Sequence, residues 1–382
     1  MSAVLSSPEP LEPDSIEWKV ARAQSVLTQL LRSGAPVLCS FSAGKDSSTA
    51  LNLLLTTAAA LRRRAQPVPP IIVTHANTGI ENPSMVQYAK REMQLVLAYA
   101  RKHDLDVKVQ VAHPNLTETW PVRVIGGRAL PTFPGTNRDC TSELKINGMT
   151  RLRKALLKRL KDAPARPEPV VLLGTRYEES AVRAANMRER GESHVEVRRG
   201  VSETGKPSNL FLSPICWWTS DDVWGYLGLV RAGELDGYST FEETMRVYAD
   251  AMGVSCVIVA EDMSKTAKTS KACGARHGCA LCTASDRDAS MENMLAIDPR
   301  YTFMRPLNSL RNFLSATRWD MDRRSWLGRT IKEGYVRIGP DAYSPSMMEE
   351  LLRYALTIDE QEREASVTPS PARSRTTRPQ PS

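Results

Sequence analysis

The sequence predicts an α/β protein, a doubly wound parallel sheet followed by a cysteine-rich, mostly helical C-terminal region. Three observations carry this prediction. Short apolar runs suited to buried strands recur at 37–41, 71–75, 107–111 and 170–174. Stretches with helical apolar spacing lie between the early runs, and crossover helices of that kind make neighbouring strands parallel. After about residue 235 the alternation stops, and four of the seven cysteines fall within residues 256–282.

The elements follow in order. Residues 1–14 read as a flexible lead-in. Residues 15–32 place Ile16, Val20, Ala23, Leu27 and Leu30 on one helix face, and Gly34-Ala35-Pro36 ends the helix. The first strand runs into a turn of small residues and then an apolar helix, 48–61, closed by Arg62-Arg63-Arg64. After the second strand, Asn82-Pro83 signals a helix start. Met85, Tyr88, Ala89, Met93, Val96, Leu97 and Ala100 follow at 3.6-residue spacing. Residues 114–136, with four prolines and three glycines, read as loop. Thr219-Ser220-Asp221 reads as a helix N-cap, and the apolar residues around it as core. Residues 304–357 read as helical and basic, and the polar stretch from Gln361 as disordered. The expected division is 1–14 lead-in, 15–235 α/β domain, 236–357 cysteine-bearing helical region and 358–382 tail.

Composition sets outer bounds. A 382-residue chain with 41% hydrophobic residues has room for two domains and a substantial core. No run of 18 or more apolar residues occurs, so no transmembrane helix is expected. The N-terminus lacks a basic segment followed by an apolar one, so a cytoplasmic protein is expected. A net charge of +8 suits a polyanionic partner such as nucleic acid, and equally an ordinary basic enzyme. Seven cysteines in such a chain point to metal binding or catalysis before disulfides.

The turn after the first strand is the strongest local signal. Ser40-Phe41-Ser42-Ala43-Gly44-Lys45-Asp46-Ser47-Ser48 places a strand, a small-residue turn and a helix start in the order that binds phosphate. Backbone N–H groups face the anion and the helix N-terminus adds positive potential. Ser42, Ser47 and Ser48 add hydroxyls and Lys45 a charge. An aspartate fits an anion site only where it orients Mg²⁺ or the loop itself, which assigns Asp46 to metal-assisted nucleotide chemistry. The segment is not a Walker A loop, which has no Asp after its Lys. The segment resembles the PP-loop of the ATP-pyrophosphatase and phosphoadenosine phosphosulfate (PAPS) reductase superfamily, which usually carries two adjacent glycines. Ala43 replaces the first, and is expected to keep negative φ.

Further segments resemble that superfamily in the same order. His75-Ala76-Asn77-Thr78-Gly79-Ile80-Glu81 resembles its Asp-Thr-Gly stretch, which implies that Thr78 and Gly79 line an adenosine site. Arg138-Asp139-Cys140-Thr141-Ser142-Glu143-Leu144-Lys145 resembles its Arg-x-Cys-Thr-x-x-Leu-Lys segment. A helix from Cys140 then brings Arg138 and Lys145 to phosphate oxygens, and leaves Cys140 buried. Gly174-Thr175-Arg176, with Glu179, Ser180 and Arg183, lies at the carboxyl end of the fourth strand, where ligands of parallel sheets bind. The implied fold is adenine nucleotide α-hydrolase-like. The implied ATP ligands are Ser40, Ser42, Gly44, Lys45, Asp46, Ser47, Ser48, Thr78, Gly79, Gly174 and Arg176. Lys45, Asp46, Arg138 and Lys145 carry the catalytic roles.

Cys273-x5-Cys279-x2-Cys282, with Cys256 upstream, is the second strong signal. Thiolates at this density select soft sites, iron–sulfur or zinc, and His277 leaves a Cys3His zinc site open. Gly278-Cys279-Ala280-Leu281-Cys282-Thr283, Asp286-x-Asp288-x-Ser290-Met291-Glu292 and Arg311-Asn312-Phe313-Leu314 resemble the DndC family of DNA phosphorothioation proteins. The resemblance spans residues 36–355. It implies Cys256, Cys273, Cys279 and Cys282 as ligands of a 4Fe–4S cluster. Cys256 is the least secure, with Cys216 or Cys140 as replacements. It also implies ATP and Mg²⁺ as cofactors, DNA as substrate, and a cysteine desulfurase and other phosphorothioation proteins as partners. The expected chemistry is adenylation of a DNA backbone phosphate, release of pyrophosphate, and displacement of AMP by sulfur. A sulfonucleotide reductase is the runner-up, weakened because no cysteine follows Cys282. A tRNA-thiolating enzyme and an ATP-gated nucleic-acid-binding subunit complete the alternatives.

Overall fold

Helix α1 (Ile16–Arg32) begins where the Ser15 hydroxyl accepts the Trp18 N–H, as its pattern predicts. It lays Val20, Ala23, Leu27, Leu30 and Leu31 against the helix that matters most, α2 (Lys45–Arg63). Fifteen of the nineteen residues of α2 are buried, so this helix is enclosed and not a surface element. Its polar residues are accommodated accordingly. Thr56 and Thr57 donate back to the Asn52 and Leu53 carbonyls. Asn52 donates to the Tyr226 hydroxyl at 2.7 Å and accepts the Tyr238 N–H at 2.9 Å. The computed structural model describes residues 12–136, 139–161, 167–201, 207–252 and 278–367.

Strands β1 (Val37–Ser40), β2 (Ile71–Ala76), β3 (Val107–Ala112) and β4 (Val170–Leu172) form where the apolar runs predict them. The sheet has six strands in the order β3-β2-β1-β4-β6-β5. All neighbours are parallel except the edge pair β5 (Arg198–Val201) and β6 (Pro207–Leu212). The order reverses between β1 and β4, and the crevice beyond their carboxyl ends is the switch point at which ligands of such sheets bind. The central strands are almost wholly apolar, as burial on both faces requires.

Helix α3 (Pro83–Lys102) is capped by Asn82 as expected. A helical run continues from the short α4 (Asp139–Thr141), through one wide turn at Ser142–Ile146, into α5 (Asn147–Lys161). Then come α6 (Ala181–Glu189), α7 (Ser220–Ala232) with its Thr219 cap, and α8 (Glu242–Met252). Beyond residue 277 lie α9 (Ala289–Ile297), α10 (Arg305–Ala316), the hairpin β7 (Arg324–Lys332) and β8 (Tyr335–Tyr343), and α11 (Pro345–Val367). A second core joins Trp120, Val124 and Leu144 to Leu281, Leu310, Leu314, Tyr343 and Met347. No described helix is long and apolar enough to cross a membrane.

Three features depart from expectation. Strands β5 and β6 were not foreseen, because PSNLFL breaks both the strand and the helix period. The stretch expected to be helical contains a hairpin. Its turn is Glu333-Gly334, both at positive φ (51° and 82°), the backbone that two-residue hairpins require. Helix α11 also runs to Val367, past Gln361, where disorder was expected to begin.

Glu92 on α3 is 2% exposed. One of its oxygens accepts the Ser239 hydroxyl at 3.1 Å and the other has no partner among the described residues. Burial pushes its carboxyl up to about 7. The folded state therefore holds this proton more tightly than the unfolded chain. Stability present at low pH is lost as pH rises from the ordinary carboxylate range through about 7. Glu92→Gln is expected to flatten the fall in thermal midpoint over that window, with the largest gain over wild type above pH 7; an unchanged profile would show that Glu92 does not titrate there.

Candidate functional site

The phosphate loop is tied internally before any ligand arrives. The Ser42 N–H donates to the Ser47 hydroxyl oxygen, and the two hydroxyls lie 3.0 Å apart. Ser47 donates to the Gly44 carbonyl, and the Gly44 N–H donates to Ser42. Ser40 ends β1, and Ser48 is fully buried behind the loop near Tyr88 and Tyr238. Ala43, expected at negative φ, stands at +59° and is wholly buried. This corrects the expectation: the loop needs a left-handed residue here, which the neighbouring glycine of the usual pattern would supply without strain. The strain of about 1–2 kcal/mol is offset by a buried methyl worth about 0.8 kcal/mol and by lower unfolded-state entropy.

Helix α2 starts at Lys45, one turn earlier than its apolar pattern, and brings the charged residues to the crevice. Lys45 and Arg176 both donate to Oδ1 of Asp46, at 2.8 and 2.6 Å. The cationic side chains are 7% and 4% exposed. Arg176 also meets Glu178 at 2.9 Å and the Trp218 carbonyl at 3.2 Å. Asp46 thus holds two cations beside the α2 N-terminus through one oxygen. Oδ2 takes no hydrogen bond from the described residues, and a carboxylate oxygen so placed is a fitting ligand for Mg²⁺.

Gly174 serves this loop through its missing side chain. A Cβ there would lie 2.7 Å from the Asp46 carbonyl oxygen and 2.7 Å from the Ser47 Cα. The end of β4 therefore rests directly on the first turn of α2.

The segment after β2 divides two pockets. Asn77 accepts the Gly79 N–H, Gly79 sits at φ 79°, and Glu81 accepts the Thr78 N–H with both oxygens. On one side, a cavity of ≈ 210 Å³ is lined by Ser42, His75, Asn77, Glu81, Lys90 and His113. Burial holds the His75 pKa below its usual value, and its Nδ1 lies 3.0 Å from the Phe41 carbonyl, so Nδ1 carries the proton. On the other side, a cavity of ≈ 120 Å³ is lined by Thr78, Arg123, Cys140, Lys145, Cys279 and Cys282. Thr78, expected beside adenosine, thus faces the thiol side, and Gly79 lines neither cavity. His75, Asn77, Glu81 and Arg123 were missed, because single polar residues at strand ends or in loops carry no spacing signal.

The Cys279–Cys282 loop is fastened to this partition. Glu81 and Cys279 form an antiparallel bridge, and the Ala280 N–H donates to the Ile80 carbonyl at 2.7 Å. Arg311, 1% exposed, donates to the carbonyls of Cys282, Ser285 and Asp286 and pins the loop from behind. Cys140, expected to be buried, is half-buried in the thiol pocket and accepts the Thr132 hydroxyl at 3.1 Å. Arg123 pairs with Glu143 at 2.7 Å, leaving Lys145 as the second cation of this pocket. Burial, with Glu81 and the neighbouring thiols, pushes the Cys279 thiol up to about 12. It becomes a thiolate only with a metal or cation to hold it. Cys216 is buried, 4.0 Å from His194, and lines neither cavity. Arg138, Cys256, Cys273 and His277 lie outside the described residues. Among the described residues no three His, Cys, Asp or Glu side chains stand close enough to hold a metal ion. The C-x2-C pair has the donor chemistry for an iron–sulfur or zinc group, and two of its four expected ligands are not described.

Residues 36–231 match the model of the phosphoadenosine phosphosulfate reductase domain. The chain belongs to this family. The matched span holds strands β1 to β6, the loop after β1 and Arg176 after β4. No curated protein matches the chain. Among solved structures it is similar to the U34-tRNA thiolase NcsA from Methanococcus maripaludis, solved with its [4Fe-4S] cluster. The identity is 13%, over 79% of this chain and 80% of that one, with TM-score 0.35. NAD+ synthetase from Burkholderia pseudomallei is 14% identical over 68% of this chain and 87% of its own, with TM-score 0.32. Candida glabrata FMN adenylyltransferase is 13% identical, and the match covers 58% of this chain and 59% of that enzyme, with TM-score 0.32.

Gly174→Ala is expected to cost about 1–3 kcal/mol and to weaken ATP binding, because its methyl meets backbone that enclosed α2 cannot withdraw. Gly79→Ala, with nothing within 4 Å, is strained only by its φ and serves as the milder comparison. Equal effects of the two on ATP affinity, read by calorimetry, would refute the contact argument.

Proposed function

We propose that the chain is a DndC-like ATP pyrophosphatase and sulfurtransferase that adenylates a DNA backbone phosphate for replacement of oxygen by sulfur. The observation that carries this reading is the shared wall. The cavity that Ser42 of the phosphate loop lines and the thiol cavity meet across residues 77–81, and Glu81 of that wall is bridged to Cys279. A nucleotide activated on one side lies next to sulfur chemistry on the other.

The chemistry needs activation because a phosphate oxygen is a poor leaving group and AMP a good one. A DNA phosphate oxygen attacks the α-phosphorus of ATP, and pyrophosphate departs. The outer sulfur of a persulfide carried by a partner cysteine desulfurase then attacks the DNA phosphorus, and AMP departs; a second thiol breaks the S–S bond to the carrier cysteine, which leaves the phosphorothioate on DNA and a protein disulfide that an external dithiol reduces. Lys45 and Arg176 neutralise the phosphate chain, and Asp46 would hold Mg²⁺, which would supply further charge neutralisation there; the charge that develops on the leaving oxygen is met by groups already in place. Lys145 meets the acceptor phosphate from the thiol side, with Arg138 carried by the family resemblance. Cys256, Cys273, Cys279 and Cys282 would hold a 4Fe–4S cluster, which brings electron- or sulfur-transfer capacity to the pocket. Other phosphorothioation proteins complete the assembly in this reading.

The decisive experiment is mass spectrometry of DNA from cells with and without this gene. Phosphorothioate dinucleotides that vanish with the gene support the proposal. Their absence, with adenylyl sulfate or its 3′-phosphate reduced by the purified protein, replaces it with a reductase. Lys45→Ala is expected to lower pyrophosphate release by about 10²–10³-fold, and unchanged release means that the loop does not hold the phosphates. Protein purified without oxygen is expected to be brown and to contain iron; colourless, zinc-loaded protein rejects the cluster.

A further inference from the structure

Behind the phosphate loop, the core holds oxygens that the described residues leave unsatisfied. Ser48, in the first turn of α2, is wholly buried, and its hydroxyl has no hydrogen-bond partner among the described residues. The same holds for the hydroxyl of buried Tyr238 and for Oε2 of Glu92. These groups come from α2, from the segment before α8 and from α3, and they are neighbours. The Tyr238 phenol feels both the Ser48 hydroxyl and the Glu92 carboxylate, yet none of the three atoms hydrogen-bonds another. Tyr88, one turn before Glu92 on α3, stands beside Ser48 and shares a hydrogen bond with the Thr244 hydroxyl of α8. Glu92 has no ion pair among the described residues, because the basic group beside it, Arg91, is taken by Glu243 at 2.9 Å. A buried anion needs a proton or a counter-charge.

We propose that Ser48, Glu92 and Tyr238, with the Tyr88 and Thr244 hydroxyls beside them, form a binding site for a monovalent cation, K⁺ or Na⁺, behind the phosphate loop. The donor set decides the class. Every donor is oxygen, which selects a hard cation. One carboxylate among hydroxyls balances a single charge. Ca²⁺ sites draw on more carboxylates, and Mg²⁺ gives up its waters too reluctantly for so enclosed a place. An ion there joins α2 to α3 and to the chain entering α8. Helix α8 also reaches the loop itself, where the Tyr248 hydroxyl accepts the Lys45 N–H at 3.2 Å. The ion sets a positive charge behind the first turn of α2, which favours an anion at its N-terminus. The site goes beyond the proposed reaction, and only its effect on ATP rests on the reading of the loop as the phosphate site.

The test uses the full chain at pH 8, above the value of about 7 to which burial raises Glu92, in chloride salts of equal ionic strength. K⁺ or Na⁺ is expected to raise the thermal midpoint over N-methyl-D-glucamine, saturably and by about 2–4 °C. Tyr238→Phe separates a ligand from an idle hydroxyl. Replacing an idle buried hydroxyl costs nothing and leaves the gain intact, whereas loss of a ligand lowers the apparent cation affinity by about threefold or more. Glu92→Gln is expected to abolish the gain. Equal midpoints in all three salts overturn the proposal, as does a gain that survives Glu92→Gln undiminished or a cation affinity unchanged in Tyr238→Phe. Crystals grown with Tl⁺ are expected to show its anomalous signal between Ser48 and Glu92, and an ordered water there instead overturns the site without any variant. ATP binding, read by calorimetry, is expected to tighten severalfold in the cation that raises the midpoint. A wild type that binds no ATP in any salt sinks the phosphate-site reading and leaves the midpoint test of the ion standing.

Discussion

The enclosure of α2 is the constraint on which the site depends. A helix buried along most of its length cannot shift, so the loop at its N-terminus is fixed by the core and not by its own hydrogen bonds. Everything at the crevice is referred to that fixed end. Gly174 brings β4 into backbone contact with it, and Arg176, two residues on, reaches Asp46. Asp46 in turn holds Lys45. A site meant to stabilise charge gains from such rigidity, because its groups need not reorganise when charge appears.

Strands β1 to β4 and the loop were legible because both rest on short-range patterns. Apolar runs marked β1 to β4, and Ser42 to Ser48 marked the turn between β1 and α2. The hairpin was legible in principle, since Glu333-Gly334 between strand-forming residues is a turn signal, but the basic character of the stretch masked it. Two features were beyond reach of pattern. Thr78 faces the thiol pocket because of a turn closed by Glu81, and Tyr248 reaches the loop from 203 residues away. Contacts of that kind follow from tertiary packing, which no local spacing encodes. Ala43 is a case of another sort, since its identity favoured the wrong sign of φ and the loop overrode it.

The two pockets differ in how they treat charge. Beside the first cavity, the phosphate loop gathers two cations, Lys45 and Arg176, around the single carboxylate of Asp46. On the thiol side, protonated sulfur lies beside Lys145, and Arg123 is already committed to Glu143. One side is built to receive anions, the other to become anionic when a soft cation arrives.

The bridge between Glu81 and Cys279 has a thermodynamic consequence. It joins the wall of one cavity to the backbone of the other, so residues 78–81 cannot change position for one ligand alone. Any occupant of the thiol cavity that moves this strip changes nucleotide affinity by some factor, and the nucleotide must then change that occupant's affinity by the same factor. Ligands on the two sides of this strip would then be reciprocal partners in a single equilibrium, joined through Ile80–Glu81 and Cys279–Ala280.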